Sequence, residues 1–382
     1  MKVVNIIEEG RIGGPLVRIC QVTPRLAAHG VATVVLHPTE RSERFVELLE
    51  RNGIAHVAIP LQTLSRNMRL FGRYLWRFPA DIRAICRVLA RERPELVHVS
   101  GGVWQFKGVL AAALVGVKVV WHLNDTSLPL ALRWLFPLVA FLGADGFIVA
   151  GERVRRYYLR YPFLARRPVF LVPAPVDSAS FDPERVVGDP AWPKGVVTTI
   201  TVGNFVPLKG IEHLLRVAAE LKRRGLTLRM RVLGYVIDTK EAYFVSLERL
   251  RTELGVDFVE FHDGVQDVRG FLKAADIYLC TSRAEASPMA VWEAMSMGLP
   301  VVSTDVGDVS RHVRPGESGF ILPVDDVRGM ADAVATLAVD AGMRRTLGRE
   351  ARRVAVRELD IEVAVSGHLR AYRHLTGERS PT

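Results

Sequence analysis

Short apolar segments alternate with amphipathic ones along most of this 382-residue chain. The first segment, residues 2–7, leads into the glycine-containing turn EEGRIGGP and a helical pattern over Leu16–His29. Further apolar runs recur between helical patterns: VATVVLH, IAHVAIP, LVHVS, VKVVWHL, GFIVA and VFLVPAP. Strands that are apolar on both faces are typical of parallel sheets covered by helices. This half therefore predicts a Rossmann-like domain over residues 1–173.

The alternation stops and then restarts in the second half. Residues 174–195 are rich in Pro, Asp, Ser and Gly and have no period, which is typical of an interdomain linker. The pattern resumes with the strand VVTTITVG, the loop NFVPLKG and the helix IEHLLRVAAELKRRG, and further strands are LRMRVLG, DFVEFH, DIYLCTS and PVVSTD. A second Rossmann-like domain is predicted over residues 196–360, and the helical pattern in residues 361–382 is expected to pack back on the first domain.

The predicted fold class is thus α/β, with two tandem doubly wound domains. Ligands of such sheets bind beyond the carboxyl ends of the strands, so the pattern predicts a site in the cleft between the domains.

Hydrophobicity separates this chain from disordered and membrane-spanning proteins. Hydrophobic residues make up 49% of it and the mean hydropathy is +0.16. The most apolar segment, residues 128–150, is interrupted by Arg133, Pro137 and Asp145, and it lacks the roughly 20 apolar residues of a membrane helix. The apolar run before Glu8 and Glu9 is too short for a signal peptide. A cytoplasmic protein is expected, soluble or peripheral to a membrane.

Cysteine usage and charge indicate the redox compartment and the kind of partner. Cys20, Cys86 and Cys280 form no CxxC pair, which favours a reducing compartment over a disulfide scaffold or zinc site, so no metal is expected. The net charge of +10 favours anionic partners such as nucleotides, phospholipids or nucleic acid. Only 8 of the 51 basic residues are Lys, so part of this excess reflects an Arg-rich composition.

Two candidate residues or motifs lie in the first half. Gly13-Gly14 follows the first strand and precedes a helix, where backbone can approach a phosphate closely. The loop does not match GxGxxG, so a tight turn without a ligand is an equal alternative. His122 ends the strand VKVVWHL and is a candidate catalytic residue at the cleft, although a lone histidine there can also be a paired core residue.

Lys209 is the candidate cation of the second half. It lies with Gly210 between a strand and a helix, in a chain that contains few lysines. A lysine at a helix N-terminus is unfavourable unless an anion lies beside it. The position therefore predicts phosphate binding.

The stretch EASPMAVWE places Glu285 and Glu293 at the two ends of an apolar run. Ser287 is predicted to cap a helix that begins at Pro288 and runs to about Met297, before Gly298. Glu293 then lies inside an apolar helix and needs a partner. Carboxylates suit sugar and ribose hydroxyls, and the alternative is an ion pair with a buried Arg.

An ordered set of motifs resembles the retaining glycosyltransferases of family 4, also called group 1, which have the GT-B fold. The motifs are GNFVPLKG, VLG, FHDGVQDVRGFLKAADIYLCTS, the E-x7-E element, EAMSMGLPVVSTDVGD and GESGFILPVDD, and they cover roughly residues 196–338. The first domain agrees more loosely, through its GG loop and VPAPVDSASFDPE.

The resemblance implies metal-independent sugar transfer from a nucleotide diphosphate sugar, with retention of configuration. Glu293 would bind the donor ribose, Glu285 the donor sugar and Lys209 the diphosphate. The remaining phosphate contacts would come from the Gly13-Gly14 loop and from the backbone of Ala286, Ser287, Pro288 and Met289.

Three positions depart from the family's pattern. Asn204 stands beside the phosphate site where the family has Arg, and Ala286-Ser287-Pro288 replaces Gly-Phe-Gly, which removes one backbone donor. Ala174-Pro175 replaces Asn-Gly. The first two leave the donor sugar open.

Other function classes remain open from the residues alone. A GT-B nucleotide-sugar epimerase shares the architecture, a nucleotide-dependent oxidoreductase would want GxGxxG, and a sugar-binding protein would want a secretion signal. The acceptor is expected to be a glycan or a lipid-linked glycan, in cell-surface polysaccharide or glycolipid synthesis.

Basic and aromatic residues are interleaved in residues 66–78 and 153–167. This mixture suits an anionic membrane surface, and a nucleic acid partner is not expected. A helix packed inside the domain is the alternative.

Overall fold

A computed structural model describes the chain except for residues 12, 64–67, 103, 127–133, 165, 189–194, 227, 238–239 and 379–382, and except for the side chains of residues 68–70. The chain divides into two compact units. Unit 1 comprises Met1–Ala174 and Ile361–Thr382, and unit 2 comprises Pro175–Asp360.

Unit 1 contains a parallel sheet of seven strands among its described residues, in the order β3-β2-β1-β4-β5-β6-β7. The strands are β1 (Lys2–Ile6), β2 (Ala32–Pro38), β3 (His56–Ile59), β4 (Leu96–Val99), β5 (Lys118–Leu123), β6 (Gly146–Val149) and β7 (Val169–Leu171). The helices are α1 (Gly14–Ala28), α2 (Glu43–Arg51), α3 (Met68–Glu92), α4 (Phe106–Leu114), α5 (Leu135–Gly143) and α6 (Glu152–Tyr158). Each predicted apolar run of this half contains one of these strands.

Unit 2 repeats the design with six described parallel strands, in the order β10-β9-β8-β11-β12-β13. These are β8 (Thr198–Val202), β9 (Arg229–Gly234), β10 (Val259–Asp263), β11 (Ile277–Cys280), β12 (Val301–Thr304) and β13 (Gly319–Leu322). Its helices are α7 (Ile211–Arg223), α8 (Glu241–Glu253), α9 (Arg269–Ala274), α10 (Met289–Ser296), α11 (Val309–His312), α12 (Val327–Val339) and α13 (Ala341–Val354). One core cluster includes residues of α7 and α12, and another includes residues of α10 and α13.

Part of the segment predicted to be a linker packs against unit 2 within its described residues. Val176 belongs to a core cluster of unit 2, and Phe181 and Val186 pack against the same cluster. Ser296 Oγ also donates a hydrogen bond to the Phe181 carbonyl oxygen, at 2.8 Å. Apolar side chains at these three positions, spaced among Pro and Asp, give the segment a buried side that its composition does not reveal.

The last helix, α14 (Ile361–Thr376), belongs to unit 1. It begins after a break at Asp360 and buries one face, including Val365, Leu369 and Tyr372, against the sheet that carries β5 and β6. Gly367 lies against Val172, where an added Cβ would come within 2.7 Å of a Val172 methyl carbon. A side chain at position 367 would therefore push this helix away from the sheet.

Strand order locates the place where each sheet can bind a ligand. Doubly wound sheets bind ligands beyond the carboxyl ends of the strands, where the strand order reverses direction. In unit 1 this point lies between β1 and β4, and in unit 2 it lies between β8 and β11. The loops that follow β8 and β11 carry Lys209 and Glu285.

Candidate active site

The loop after β8 holds Lys209 in a 3-10 turn, Pro207–Lys209, that leads directly into α7. Gly210 joins the turn to the helix in the left-handed region, with φ +61°. A Cβ there would lie 2.2 Å from the carbonyl oxygen of Thr281 in the loop after β11. Only glycine tolerates both the positive φ and this close approach, so Gly210 allows the two loops to touch.

Lys209 and Glu285 form an ion pair across these two loops. Lys209 Nζ lies 2.6 Å from Glu285 Oε1, and Ser282 Oγ donates a hydrogen bond to the same oxygen at 2.9 Å. Burial alone would lower the pKa of Lys209, but the neighbouring Glu285 carboxylate raises it. Lys209 therefore stays charged, and the anion that the sequence required beside it is present in the protein itself.

Glu293 lies on α10, one turn after its start, and is partly buried. Burial raises the pKa of its carboxyl group to about 7, and the nearby Lys209 charge only partly opposes this. Among the described residues, none donates a hydrogen bond to its carboxylate. No described Arg pairs with it, so the buried ion pair considered as an alternative is not formed within this part of the chain. A carboxylate left in this state has acceptor capacity for a ligand.

The start of α10 differs from the prediction by one residue. Pro288, in extended conformation, is the N-cap and makes no side-chain capping hydrogen bond, and Met289 is the first helical residue. The Ser287 hydroxyl oxygen instead accepts a hydrogen bond from Trp292 Nε1 at 3.1 Å. A buried indole N–H needs an acceptor, and the Ser287 hydroxyl supplies one. The helix ends as predicted, before Gly298 in the left-handed region with φ +76°.

The loop between the two glutamates packs against the turn after β12. Gly307 has φ +54°, and a Cβ there would lie 2.4 Å from the carbonyl oxygen of Ala286. The amide of Asp308 donates a hydrogen bond to that same oxygen at 3.2 Å. With its carbonyl held in this direction, Ala286 has an amide nitrogen without a described acceptor, as does Met289 at the helix start.

Asn204 follows β8 and is exposed. The structure thus brings Lys209, Glu285, Glu293 and residues 286–289 together in unit 2, with Asn204 at the start of the Lys209 loop. Ser282, which orients Glu285, was missed from the sequence. Its place directly after the strand in DIYLCTS was the available signal.

Gly13 and Gly14 lie where the sequence predicted, after β1 and at the start of α1. Gly13 is the N-cap in extended conformation and Gly14 is the first helical residue, followed by Pro15. A Cβ added at Gly13 would meet no atom within 4 Å, so the space beside it is open. Ile12, next to it, lies outside the described residues.

His122 lies inside unit 1 and is 1% exposed. Its Nε2 atom lies 2.7 Å from Arg18 Nη1 on α1, and its Nδ1 atom lies 3.1 Å from His98 Nε2 on β4. Arg18 can only donate, so Nε2 accepts and Nδ1 carries the proton. Both ring nitrogens are therefore occupied. This arrangement differs from the predicted catalytic position, because β5 is buried on both faces and His122 is packed inside the unit.

The chain of hydrogen bonds continues in both directions. His98 Nδ1 lies 2.7 Å from Tyr372 Oη on α14, and Arg18 also donates to Asn124 Oδ1 at 2.8 Å and to Ser100 Oγ at 3.2 Å. Ser100 and Asn124 follow β4 and β5, so this network ends at the carboxyl edge of the sheet. Arg18 and Asn124 were not predicted from the sequence.

The rings of His98, His122 and His368, here called the histidine cluster, are close enough to hold a metal ion. Burial lowers the pKa of all three, and the Arg18 charge lowers it further. That fixed guanidinium charge, 2.7 Å from His122, would equally repel a metal cation. The cluster is therefore suited to a hydrogen-bonded network and poorly suited to a metal.

None of the described helices is both long enough and apolar enough to cross a membrane.

Two protein families match consecutive parts of the chain. The family described as Glycosyltransferase Family 4 matches residues 12–180, and Glycosyl transferases group 1 matches residues 184–354. Together they extend from the GG loop to the end of α13. The chain belongs to the group 1, or family 4, glycosyltransferases, as the E-x7-E element and its companion motifs indicated.

Curated relatives are glycosyltransferases of several kinds. A D-inositol 3-phosphate glycosyltransferase of Saccharomonospora viridis is 34% identical over 43% of this chain and 40% of its own length. An enzyme of the same name from Kribbella flavida is 27% identical over 96% of this chain and 92% of its own. A lipopolysaccharide core biosynthesis glycosyltransferase, LpsE of Rhizobium meliloti, is 29% identical over 46% of this chain and 50% of its own. The match to the first of these spans about two fifths of that relative.

Solved structures share the fold along nearly the whole chain. A glycosyltransferase of Rickettsia africae has a TM-score of 0.83 at 15% identity, covering 99% of both chains. Anabaena HepE, in complex with UDP, has a TM-score of 0.81 at 16% identity, covering 98% of this chain and all of its own. These similarities confirm the α/β fold class with two Rossmann-like domains, the GT-B fold.

Proposed function

We propose that the chain is a retaining, metal-independent glycosyltransferase that uses a nucleotide diphosphate sugar as donor. The proposal rests on two side-chain environments in unit 2, at the point where its strand order reverses. There a charged lysine is held by one glutamate, and a second, half-buried glutamate has no described hydrogen-bond donor. Solved structures of the same fold hold UDP and UDP-glucose, which supports a nucleotide-sugar donor.

The roles follow from the contacts and from the resemblance. A diphosphate that enters the site would take Lys209 Nζ as its counterion in place of Glu285, and Lys209 would stabilise the charge that grows on the leaving group. Glu285, released from the lysine, would accept hydrogen bonds from the donor sugar. Glu293 would accept hydrogen bonds from ribose hydroxyls. No described residue donates a hydrogen bond to its carboxylate, so these hydroxyls would supply the missing donors.

Charge neutralisation by Lys209 and by the amides of Ala286 and Met289 is the basis for proposing that no metal is required. Asn204 adds no charge to this set, so the cationic contribution of the loop after β8 comes from Lys209 alone.

For the acceptor we propose a glycan or a lipid-linked glycan, in the synthesis of cell-surface polysaccharide or glycolipid. The names of the relatives support this, since one acts in lipopolysaccharide core biosynthesis and another is a putative colanic acid biosynthesis enzyme. An acceptor of this kind would place the enzyme at the inner face of a cytoplasmic membrane, as a peripheral protein.

A donor-hydrolysis screen tests the proposal without knowledge of the acceptor. Purified chain is incubated with UDP-, GDP- and ADP-sugars in the presence of a chelator, and proton NMR follows the free sugar as it first appears. We expect one nucleotide class to be hydrolysed, with the anomeric configuration of the donor retained. Release of the inverted sugar would contradict retention, loss of turnover in chelator would contradict metal independence, and formation of a 2-epimer would indicate an epimerase.

A further inference from the structure

The helix α5 of unit 1 exposes an apolar face. Leu135, Leu138, Phe141 and Leu142 lie on one side of this helix, and the last three are 55%, 53% and 61% exposed. Trp134, just before the helix, is 81% exposed. Soluble proteins rarely expose large apolar side chains in a contiguous group unless the group has a partner. We call Leu135, Leu138, Phe141 and Leu142 the α5 face.

The opposite side of α5 is firmly packed, so this exposure is not a loose helix. Phe136, on the inner side, lies against Trp121 and against Tyr158 of α6, with ring centroids 5.1 and 4.9 Å apart. Gly143 leaves space for α4, because a Cβ there would lie 2.8 Å from a methyl carbon of Val109. The α5 face is therefore presented to solvent by a fixed helix.

Arginines border this face on the side of α6. Arg167 donates a hydrogen bond to the carbonyl oxygen of Phe141 at 3.4 Å, and the ring of Phe163 lies 5.8 Å from that of Phe141. Tyr161 lies next to Phe163, and the Arg160 guanidinium lies over the Tyr161 ring at 5.3 Å. Apolar, aromatic and cationic groups thus follow one another across a continuous surface.

This border carries a net positive charge, in which Glu152 pairs with Arg155 and Arg156. Residues 152–167 contain a single acid, Glu152, and the exposed or half-exposed arginines Arg153, Arg155, Arg156, Arg160, Arg166 and Arg167. The stretch from Trp134 to Ala144 contains no charged residue. A protein partner for an apolar patch would be expected to offer a mixed rim, whereas an anionic bilayer offers hydrocarbon below a layer of negative charge.

We propose that the α5 face inserts into the interfacial region of an anionic phospholipid bilayer, with the arginines of residues 153–167 on the headgroups. Trp134, Tyr161 and Phe163 lie at the border, where aromatic rings favour the headgroup level. The sequence predicted a surface of interleaved cations and aromatics in residues 153–167 and also in residues 66–78. There Trp76 is exposed and Tyr74 is buried; Arg66 lies outside the described residues, as does the side chain of Arg69.

Flotation with vesicles tests this proposal on the full chain. One set of vesicles contains phosphatidylcholine alone and the other also contains phosphatidylglycerol, each at low and high salt. We expect binding to the anionic vesicles to fall at least tenfold in the triple variant Leu138→Ser, Phe141→Ser and Leu142→Ser. The variant Arg155→Ser, Arg156→Ser and Arg160→Ser should lose binding at low salt and retain its apolar surface.

Two control variants lie on unit 2. Val339→Ser removes an apolar side chain that is 77% exposed at the end of α12, and Arg345→Ser with Arg349→Ser removes exposed cations of α13. Both should bind vesicles as the wild type does. UDP binding should be unchanged in every variant, which separates this proposal from the donor chemistry of unit 2.

Two results would overturn the proposal. One is equal binding of the wild type and the α5 triple variant to anionic vesicles. The other is a dimer in analytical ultracentrifugation that the triple variant converts to a monomer, because the α5 face would then be covered by a second copy of the chain.

Discussion

The histidine cluster of unit 1 and the Glu285–Glu293 site of unit 2 are both polar groups held close to the carboxyl ends of parallel strands. They differ in how many hydrogen-bond partners the protein supplies to them. His122 has a partner on each ring nitrogen, whereas the Glu293 carboxylate has no described donor and a pKa raised to about 7 by burial. A buried polar group that has its partners stabilises the fold, and one that lacks them is available for a ligand.

The largest expected effect concerns turnover at the unit 2 site. Lys209→Ala should lower the turnover number of donor hydrolysis by about 100-fold or more, since the charge on the leaving diphosphate grows in the transition state. It should weaken UDP binding less. Steady-state kinetics and calorimetry measure the two separately, with Lys273→Ala, an exposed lysine of α9, as the matched control. An equal loss in turnover and in binding would make Lys209 a binding residue only.

A smaller effect is expected in the histidine cluster, and it should appear in stability. His122→Leu leaves the buried Arg18 guanidinium without one of its acceptors, so the free energy of unfolding should fall by about 1–3 kcal/mol. Urea denaturation measures this, with the exposed His29→Leu as control. UDP affinity should not change. A tenfold loss of turnover in a variant of unchanged stability would restore His122 as a catalytic residue.

The smallest expected effect is a pH dependence of nucleotide binding. Glu293 accepts ribose hydroxyls best as a carboxylate, and its pKa lies near 7, so UDP affinity should rise as the pH increases from 6 to 8. The UDP phosphate also titrates in this region, and therefore the difference between wild type and Glu293→Gln is the relevant quantity. Calorimetric titrations at several pH values should show a steeper rise in the wild type. Parallel curves would remove Glu293 from the titration.

The same shift has a consequence for folding. A carboxyl group whose pKa is higher in the folded state than in the unfolded chain binds an extra proton on folding, between its ordinary pKa of 4.5 and about 7. This group therefore favours the folded state most below pH 4.5, and its contribution is lost as the pH rises to 7. Glu293→Gln should flatten that part of the stability profile.

The periodicity of hydrophobic residues and the residues typical of turns predicted the fold well. The run VKVVWHL is β5, the pattern IEHLLRVAAELKRRG contains α7, and Gly298 ends α10 as expected. Local sequence was sufficient because each of these features depends on residues close together in the chain. The short strand β13, Gly319–Leu322, was seen only as part of a family motif.

Contacts between distant residues could not be predicted in this way. His98 contacts Tyr372 across 274 positions, so the pairing that buries His122 has no local signal. Closer in the chain, Ser287 was expected to cap α10, but the N-cap is Pro288 and the Ser287 hydroxyl accepts a hydrogen bond from the Trp292 indole. The apolar run in α5 was weighed only as a membrane helix, and only the fold reveals which of its residues face solvent.

The most direct test of the central claim is a calorimetric titration of UDP into the wild type and into Glu293→Gln, with a thermal unfolding scan of both proteins. If GDP or ADP is the nucleotide selected in the hydrolysis screen, it replaces UDP. Glutamine preserves the shape of the side chain and removes its charge. Loss of a charged acceptor is worth about 1.5–3 kcal/mol, so we expect affinity to fall about 10- to 150-fold with no loss of thermal stability. Unchanged affinity together with a lower unfolding temperature would contradict a ribose-binding role for Glu293 and assign it to the structure of α10.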